Sequence, residues 1–203
     1  KFRRDSGVRM LEAVRHAFPD ATVHIDCNAG FTLSDISLFR ELDRFNLAMI
    51  EQPLASDDLV DHARLQAELL TPICLDESIT SVDRARKAIE IDAARVINIK
   101  HGRVGGLTNA IALADLCRRQ NIPFWIGGML ESAVGQGASI ALATLPGIGY
   151  PADIFPDGRL YRQELSTPSI ELSGAGAMTA TSVSGTGFWP ILERLDSMSV
   201  RRA

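Results

Sequence analysis

Ile73-Cys74-Leu75-Asp76 is a short run of three apolar residues closed by an acid, with Pro72 before it and Glu77-Ser78 after it. The same design recurs at a fixed interval. Leu47-Ala48-Met49-Ile50-Glu51 ends 25 residues earlier, and Thr22-Val23-His24-Ile25-Asp26 ends 25 before that. Val96-Ile97-Asn98-Ile99-Lys100 ends 24 residues later, this time on a base. A strand, a helix and two short loops take about 25 residues in a repeating β/α unit. The spacing therefore predicts parallel strands that deliver three carboxylates and an amine to one rim.

Amphipathic segments fill the intervals. Ser6 is placed to cap a helix whose apolar face is Val8, Leu11, Val14 and Phe18. Ser34 is expected to cap a second, with Ile36, Leu38, Phe39 and Leu42 inward. Residues 57–69 read as a third helix, Ser81 opens a fourth, and Gly105-Gly106 precede a fifth. Pro123-Phe124-Trp125-Ile126 reads as a fifth strand, and the stretch from Tyr150 to Ile154 as a sixth carrying Asp153. Strict alternation with apolar strands implies an α/β fold with a parallel sheet covered by helices. Six regular units without a nucleotide-type glycine loop favour a (β/α) barrel, with functional residues at the C-terminal strand ends. Eight strands close such a barrel, so the chain is expected to lack its first strands. Residues 1–154 are read as this partial barrel. Residues 155–203, rich in Gly, Ser, Thr and Pro, are read as loops, short strands and a last helix completing or flanking it.

Composition narrows the classes. Apolar residues make up 46% and charged residues 23%, as in an ordinary globular chain. A net charge of −4 gives no footing for nucleic acid or an anionic membrane. Three cysteines, Cys27, Cys74 and Cys117, read as reduced thiols in a cytoplasmic setting.

Three carboxylates on adjacent strand ends repel one another without a cation. Oxygen donors without a His or Cys cluster favour Mg2+, or another divalent ion such as Mn2+, over Zn2+. Asn28, two residues past Asp26, is a candidate to order a water or ligand there, or else an ordinary turn residue. Glu77 is expected to support the rim from behind or to join an ion pair. Lys100 closes a strand with no other charge; beside a cation its pKa would fall, suiting it to act as a base near neutral pH. Glu131, after Gly127-Gly128, is a candidate to orient Lys100 or substrate, or simply an acid favoured at a helix start.

Five stretches together resemble the enolase superfamily, in its branch with lysine bases. They are Asp26-Cys27-Asn28, Ile50-Glu51-Gln52-Pro53-Leu54, Thr71 to Ser78, Asn98-Ile99-Lys100 with Gly102 to Gly106, and Gly127 to Ser132. The resemblance is strongest to the o-succinylbenzoate synthases and N-acylamino (N-succinylamino) acid racemases, and it runs over nearly all of residues 8–190. It implies that Asp26, Glu51 and Asp76 bind Mg2+, which holds the carboxylate of a small substrate. It implies that Lys100 faces one side of the α-carbon and that Lys1, the second member of a Lys-x-Lys pair, faces the other. Proton removal and return would then racemise the substrate. Loss of a β-hydroxyl through an enediolate would instead give o-succinylbenzoate, a menaquinone precursor. The sequence departs from the group at two places, Arg3-Arg4-Asp5-Ser6 where Pro-Gly is usual and Asp157 for a serine, and the first lysine of the pair is expected to be absent. The cap domain of the group is also expected to be missing.

Two other readings compete. A truncated, inactive barrel would serve only as an assembly partner, its open sheet edges covered by another chain, as in a homo-oligomer. A Schiff-base aldolase would use Lys100 as nucleophile but leaves the three acids unexplained.

Overall fold

The computed structural model describes residues 1–198, in two compact units: Lys1–Phe124, and Trp125 onward. In the first unit, β1 (Ile25–Asp26), β2 (Ile50–Glu51), β3 (Ile73–Leu75) and β4 (Val96–Ile99) lie side by side in sequence order. All the pairings are parallel, with Asp26 opposite Glu51, Glu51 opposite Cys74, and Leu75 opposite Ile97. The expected parallel α/β sheet is present, with shorter ladders than the apolar runs suggested. Pairing persists upstream through single bonds, as from the Ala48 N–H to the Val23 carbonyl at 2.8 Å. Phe124, the last residue of this unit, begins the next strand, β5 (Phe124–Ile126).

Helices α1 (Gly7–Ala17), α2 (Ile36–Leu42), α3 (Leu59–Gln66), α4 (Val82–Glu90) and α5 (Leu107–Arg119) alternate with the strands. The core runs through Leu11, Phe39, Leu42, Leu65, Ile73, Leu75, Ile97 and Leu113, all essentially inaccessible. The apolar face expected for α1 stops short of Phe18, which is 63% exposed because the helix ends at Ala17 and the chain turns away. Ser6 occupies the N-cap position, but its hydroxyl bonds Asp5 rather than a helix N–H. Ser34 is not the cap of α2. It lies within a 3-10 turn (Leu33–Asp35), and the reciprocal bonds belong to Thr32 and Asp35. Ser81 does cap α4, accepting the Arg84 N–H at 3.1 Å.

None of the three cysteines is in a disulfide, all three are buried, and burial pushes the Cys117 thiol up to about 12, as for a small, inert buried thiol. No helix among the described residues is long and apolar enough to cross a membrane.

In the second unit, α6 (Ala133–Leu142) packs Ala133 and Ile140 against Ile170, Met178 and Phe188. Gly137 is required there, since a Cβ would press into the Phe188 ring and the Thr186 carbonyl. The expected sixth strand is reduced to one parallel bridge, Gly127 with Asp153. Two short antiparallel strands, β6 (Ser166–Thr167) and β7 (Trp189–Pro190), precede α7 (Leu192–Met198).

Candidate functional site

The parallel register brings three acids to one end of the first unit's sheet. Asp26 and Glu51 close neighbouring strands at the same level, and Asp76 follows β3 two residues past Cys74, the partner of Glu51. Asp26 and Glu51 stand at strand ends because Asn28 (φ 43°) and Gln52 (φ 37°) turn the backbone into the left-handed region immediately beyond.

Each carboxylate has its own partners. Asp26 accepts the Asn28 N–H at 2.9 Å and the ammonium of Lys1. Lys1 is brought there by its neighbour: the Phe2 N–H donates to the Asp26 carbonyl at 2.8 Å. Phe2 is in turn buried against Phe31, with ring centroids 5.8 Å apart. Burial works against the Lys1 ammonium, but its bond to Asp26 and the charges of Asp26, Glu51 and Glu77 outweigh that and hold its pKa above the usual value. Glu51, 3% exposed, accepts from Asn98 Nδ2 at 2.8 Å and lies 3.6 Å from His24 Nε2. Burial and then the Asp26 charge push its carboxyl up to about 7, with the Asn98 bond opposing.

Asp76, 2% exposed, takes Lys100 Nζ at 2.8 Å on one oxygen and Arg103 on the other. Burial raises its pKa, while Lys100 and Arg103 pull the other way. Asn98 and Lys100, two apart on one chain, supply the amide to Glu51 and the amine to Asp76. Glu77 accepts from Asn28 Nδ2 at 3.1 Å, so these two tie the loop after β1 to the loop after β3. Glu131 belongs to the second unit, where its carbonyl accepts from Gln136 Nε2 at 2.7 Å at the start of α6.

Three participants carry no role in the sequence reading. Gln52 and Arg103 act through contacts between loops, which no periodicity reveals. Asn98 did leave a signal: it is the one polar residue in an otherwise apolar strand, in step with Lys100.

Among the described residues, no three His, Cys, Asp or Glu side chains are gathered closely enough to hold an ion, because Asp26 and Asp76 are turned to the protein's own cations. The donor set nevertheless suits a hard divalent cation. Asn98 Oδ1 and Glu77 Oε2 are buried oxygens without a hydrogen-bond partner, on side chains that touch this rim. Buried acceptors left over beside the rim acids are satisfied by a donor or a cation.

A family model described as Enolase C-terminal domain-like matches residues 1–190. An o-succinylbenzoate synthase from Geobacillus kaustophilus is 47% identical over 181 residues, covering 89% of this chain and 48% of that protein. An N-succinylamino acid racemase from Thermus thermophilus is 43% identical over 189 residues, covering 92% and 51%. The crystal structure of an enolase superfamily member from Listeria innocua superposes with a TM-score of 0.91 at 38% identity, covering 97% of this chain and 53% of that one. The chain spans about half the length of the curated relatives it matches.

Proposed function

The chain belongs to the enolase C-terminal domain-like family, and from that premise we propose that it carries the cation-and-lysine face of an enzyme that removes the proton next to a substrate carboxylate. Asp26, Glu51 and Asp76 would hold Mg2+ or a similar divalent ion. Bound there, the cation supplies the positive charge that makes an α-proton acidic. Asn98 holds Glu51 in place, and Asn28 and Glu77 brace the loops on either side. Lys100 Nζ takes the proton. Lys1 stands on Asp26, where the opposite side of the α-carbon would lie.

The observation that carries this reading is the 2.8 Å contact of Lys100 with Asp76, a base and a candidate ligand in direct contact at one rim. With Asp76 committed to a cation, Lys100 Nζ would give up this contact and be available to substrate. Two outcomes follow from the same proton removal. If Lys1 returns a proton on the other face, the product is the mirror-image acid. If instead the β C–O bond breaks, the hydroxyl leaves with that bond's electron pair and takes the proton held by Lys100 to become water, while the enediolate pair forms the C=C bond. The relatives' names fit both, the first on N-succinylamino acids and the second giving o-succinylbenzoate.

The test uses the full-length protein with 2-succinyl-6-hydroxy-2,4-cyclohexadiene-1-carboxylate and with N-succinylamino acids, in Mg2+ and in EDTA. Turnover of at least one substrate in Mg2+ alone, lost in Lys100→Ala, is expected. Activity of Lys100→Ala equal to that of the unsubstituted protein would refute the assignment of the base.

A further inference from the structure

We propose that Gln52 is a positioning residue that fixes Asp76 relative to Glu51 and so sets the affinity of the rim for a divalent cation. This rests on the reading of Asp26, Glu51 and Asp76 as a cation site. Gln52 is completely buried, and its side chain makes four hydrogen bonds. Its Oε1 accepts the N–H groups of Asp76 at 3.0 Å and Ser78 at 3.1 Å. Its Nε2 donates to the Leu54 carbonyl at 3.1 Å and to Ser78 Oγ at 2.7 Å. The backbone joins in: the Gln52 N–H donates to the Cys74 carbonyl, and the Gln52 carbonyl accepts the Ala29 N–H, both at 2.8 Å. One residue thus bonds the loops after β1 and β3 while adjoining Glu51.

The backbone of Gln52 makes the case stronger. At φ 37° it occupies the left-handed region where glycine is the default. A glutamine there accepts strain that glycine would avoid, and its amide holds the turn bearing Asp76 through two backbone N–H groups. A side chain kept in place at such a cost is there for its hydrogen bonds. The amide also complements the ligands without competing with them. It contacts Asp76 only through the backbone N–H, so it occupies neither carboxylate oxygen, the two that here accept from Lys100 and Arg103.

The clamp is itself held. The Leu54 N–H donates to Nε2 of buried His62 at 3.2 Å, and His62 Nδ1 bonds the Asp58 carbonyl at 2.5 Å. The tautomer follows: the proton sits on Nδ1 and the lone pair on Nε2. Leu54 is therefore fixed at its N–H by His62 and at its carbonyl by Gln52.

The experiment is a Mn2+ titration read by electron paramagnetic resonance on the full-length protein, beside hydrogen exchange of the segment from Asp76 to Ile79. Gln52→Met removes all four side-chain bonds, and Ser78→Ala, a milder change, removes one. Leu113→Ala, in the core of α5, is the control for general loss of stability. Residues supporting metal ligands typically weaken binding by about 10- to 100-fold when replaced, and that is the change expected for Gln52→Met. Ser78→Ala should show a smaller loss, and the double variant should bind no worse than Gln52→Met alone. Exchange of the Asp76–Ile79 segment should rise in Gln52→Met without metal present. Leu113→Ala should bind Mn2+ within about 2-fold of the unsubstituted protein, as expected for a distant, independent site. If Gln52→Met and Ser78→Ala both bind like the unsubstituted protein, the inference is overturned and the cation reading stands. If the unsubstituted protein binds no Mn2+, the cation reading falls and takes the inference with it.

Discussion

Lowering the pH should weaken the fold through His62, and substituting that histidine should remove the effect. His62 is completely buried on α3, accepting from Leu54 and donating to Asp58, an arrangement available only to the neutral ring. Burial holds its pKa below the ordinary value of 6.5, against the pull of Asp58 and Asp61. The sign follows from proton counting. Below pH 6.5 the unfolded chain binds a proton that the folded chain resists, so stability is present above 6.5 and lost as pH falls. At pH 5.5 the loss reaches a ceiling of about 1.4 kcal/mol, from one proton and an unfolded value one unit higher. Glu51 works in the opposite direction in metal-free protein. Its folded value of about 7 lies above 4.5, so the folded state binds the extra proton and gains as pH falls through that window. The whole-protein curve is the sum of such terms, and the useful quantity is a difference. Urea unfolding in EDTA at pH 7.5 and 5.5 would be measured for the unsubstituted protein and for His62→Gln, whose amide can both accept and donate. The pH-dependent loss should be smaller in His62→Gln by up to that ceiling. Parallel curves for the two proteins would refute the reasoning.

Three further predictions concern the framework under the rim. Gly7→Ala sets a methyl into the Phe2 ring and should cost about 1–3 kcal/mol by urea midpoint. Asp43→Ala removes three bonds, to the N–H of Leu70 at 3.0 Å, the N–H of Thr71 at 2.9 Å and the Thr71 hydroxyl at 2.6 Å. A loss of about 2–3 kcal/mol is expected, and a change under about 0.5 kcal/mol, the range of an ordinary surface substitution, would show that these bonds contribute little. Asn98→Leu leaves Glu51 Oε1 buried without its donor and should cost about 1–3 kcal/mol in metal-free protein at pH 8. An unchanged denaturation curve would count against the Asn98–Glu51 bond.

The sequence made the rim readable because its physics is periodic. Strand ends spaced by one β/α unit place Asp26, Glu51, Asp76 and Lys100 without any knowledge of loops, and the parallel register brings them together. What the sequence hid was what happens between units. Gln52 follows Glu51 by one residue, yet its partners lie 24 and 26 residues on. Arg103 sits in a glycine-rich loop that reads as a turn, yet it meets Asp76 across 27 residues. Local rules also lost to geometry at the caps. Ser34 is a good capping residue by type, but Thr32 and Asp35 have the spacing for reciprocal bonds. Phe18 continues the helical period of α1 but falls after its last turn, and so stands in solvent.

Calorimetric titration with Mg2+ tests the central claim most directly, using the unsubstituted full-length protein beside Asp26→Asn, Glu51→Gln and Asp76→Asn. One ion per chain is predicted, with each single substitution weakening it by at least about 10-fold, since all three carboxylates would share one ion. Mg2+ bound with the same affinity by all three variants would contradict the account.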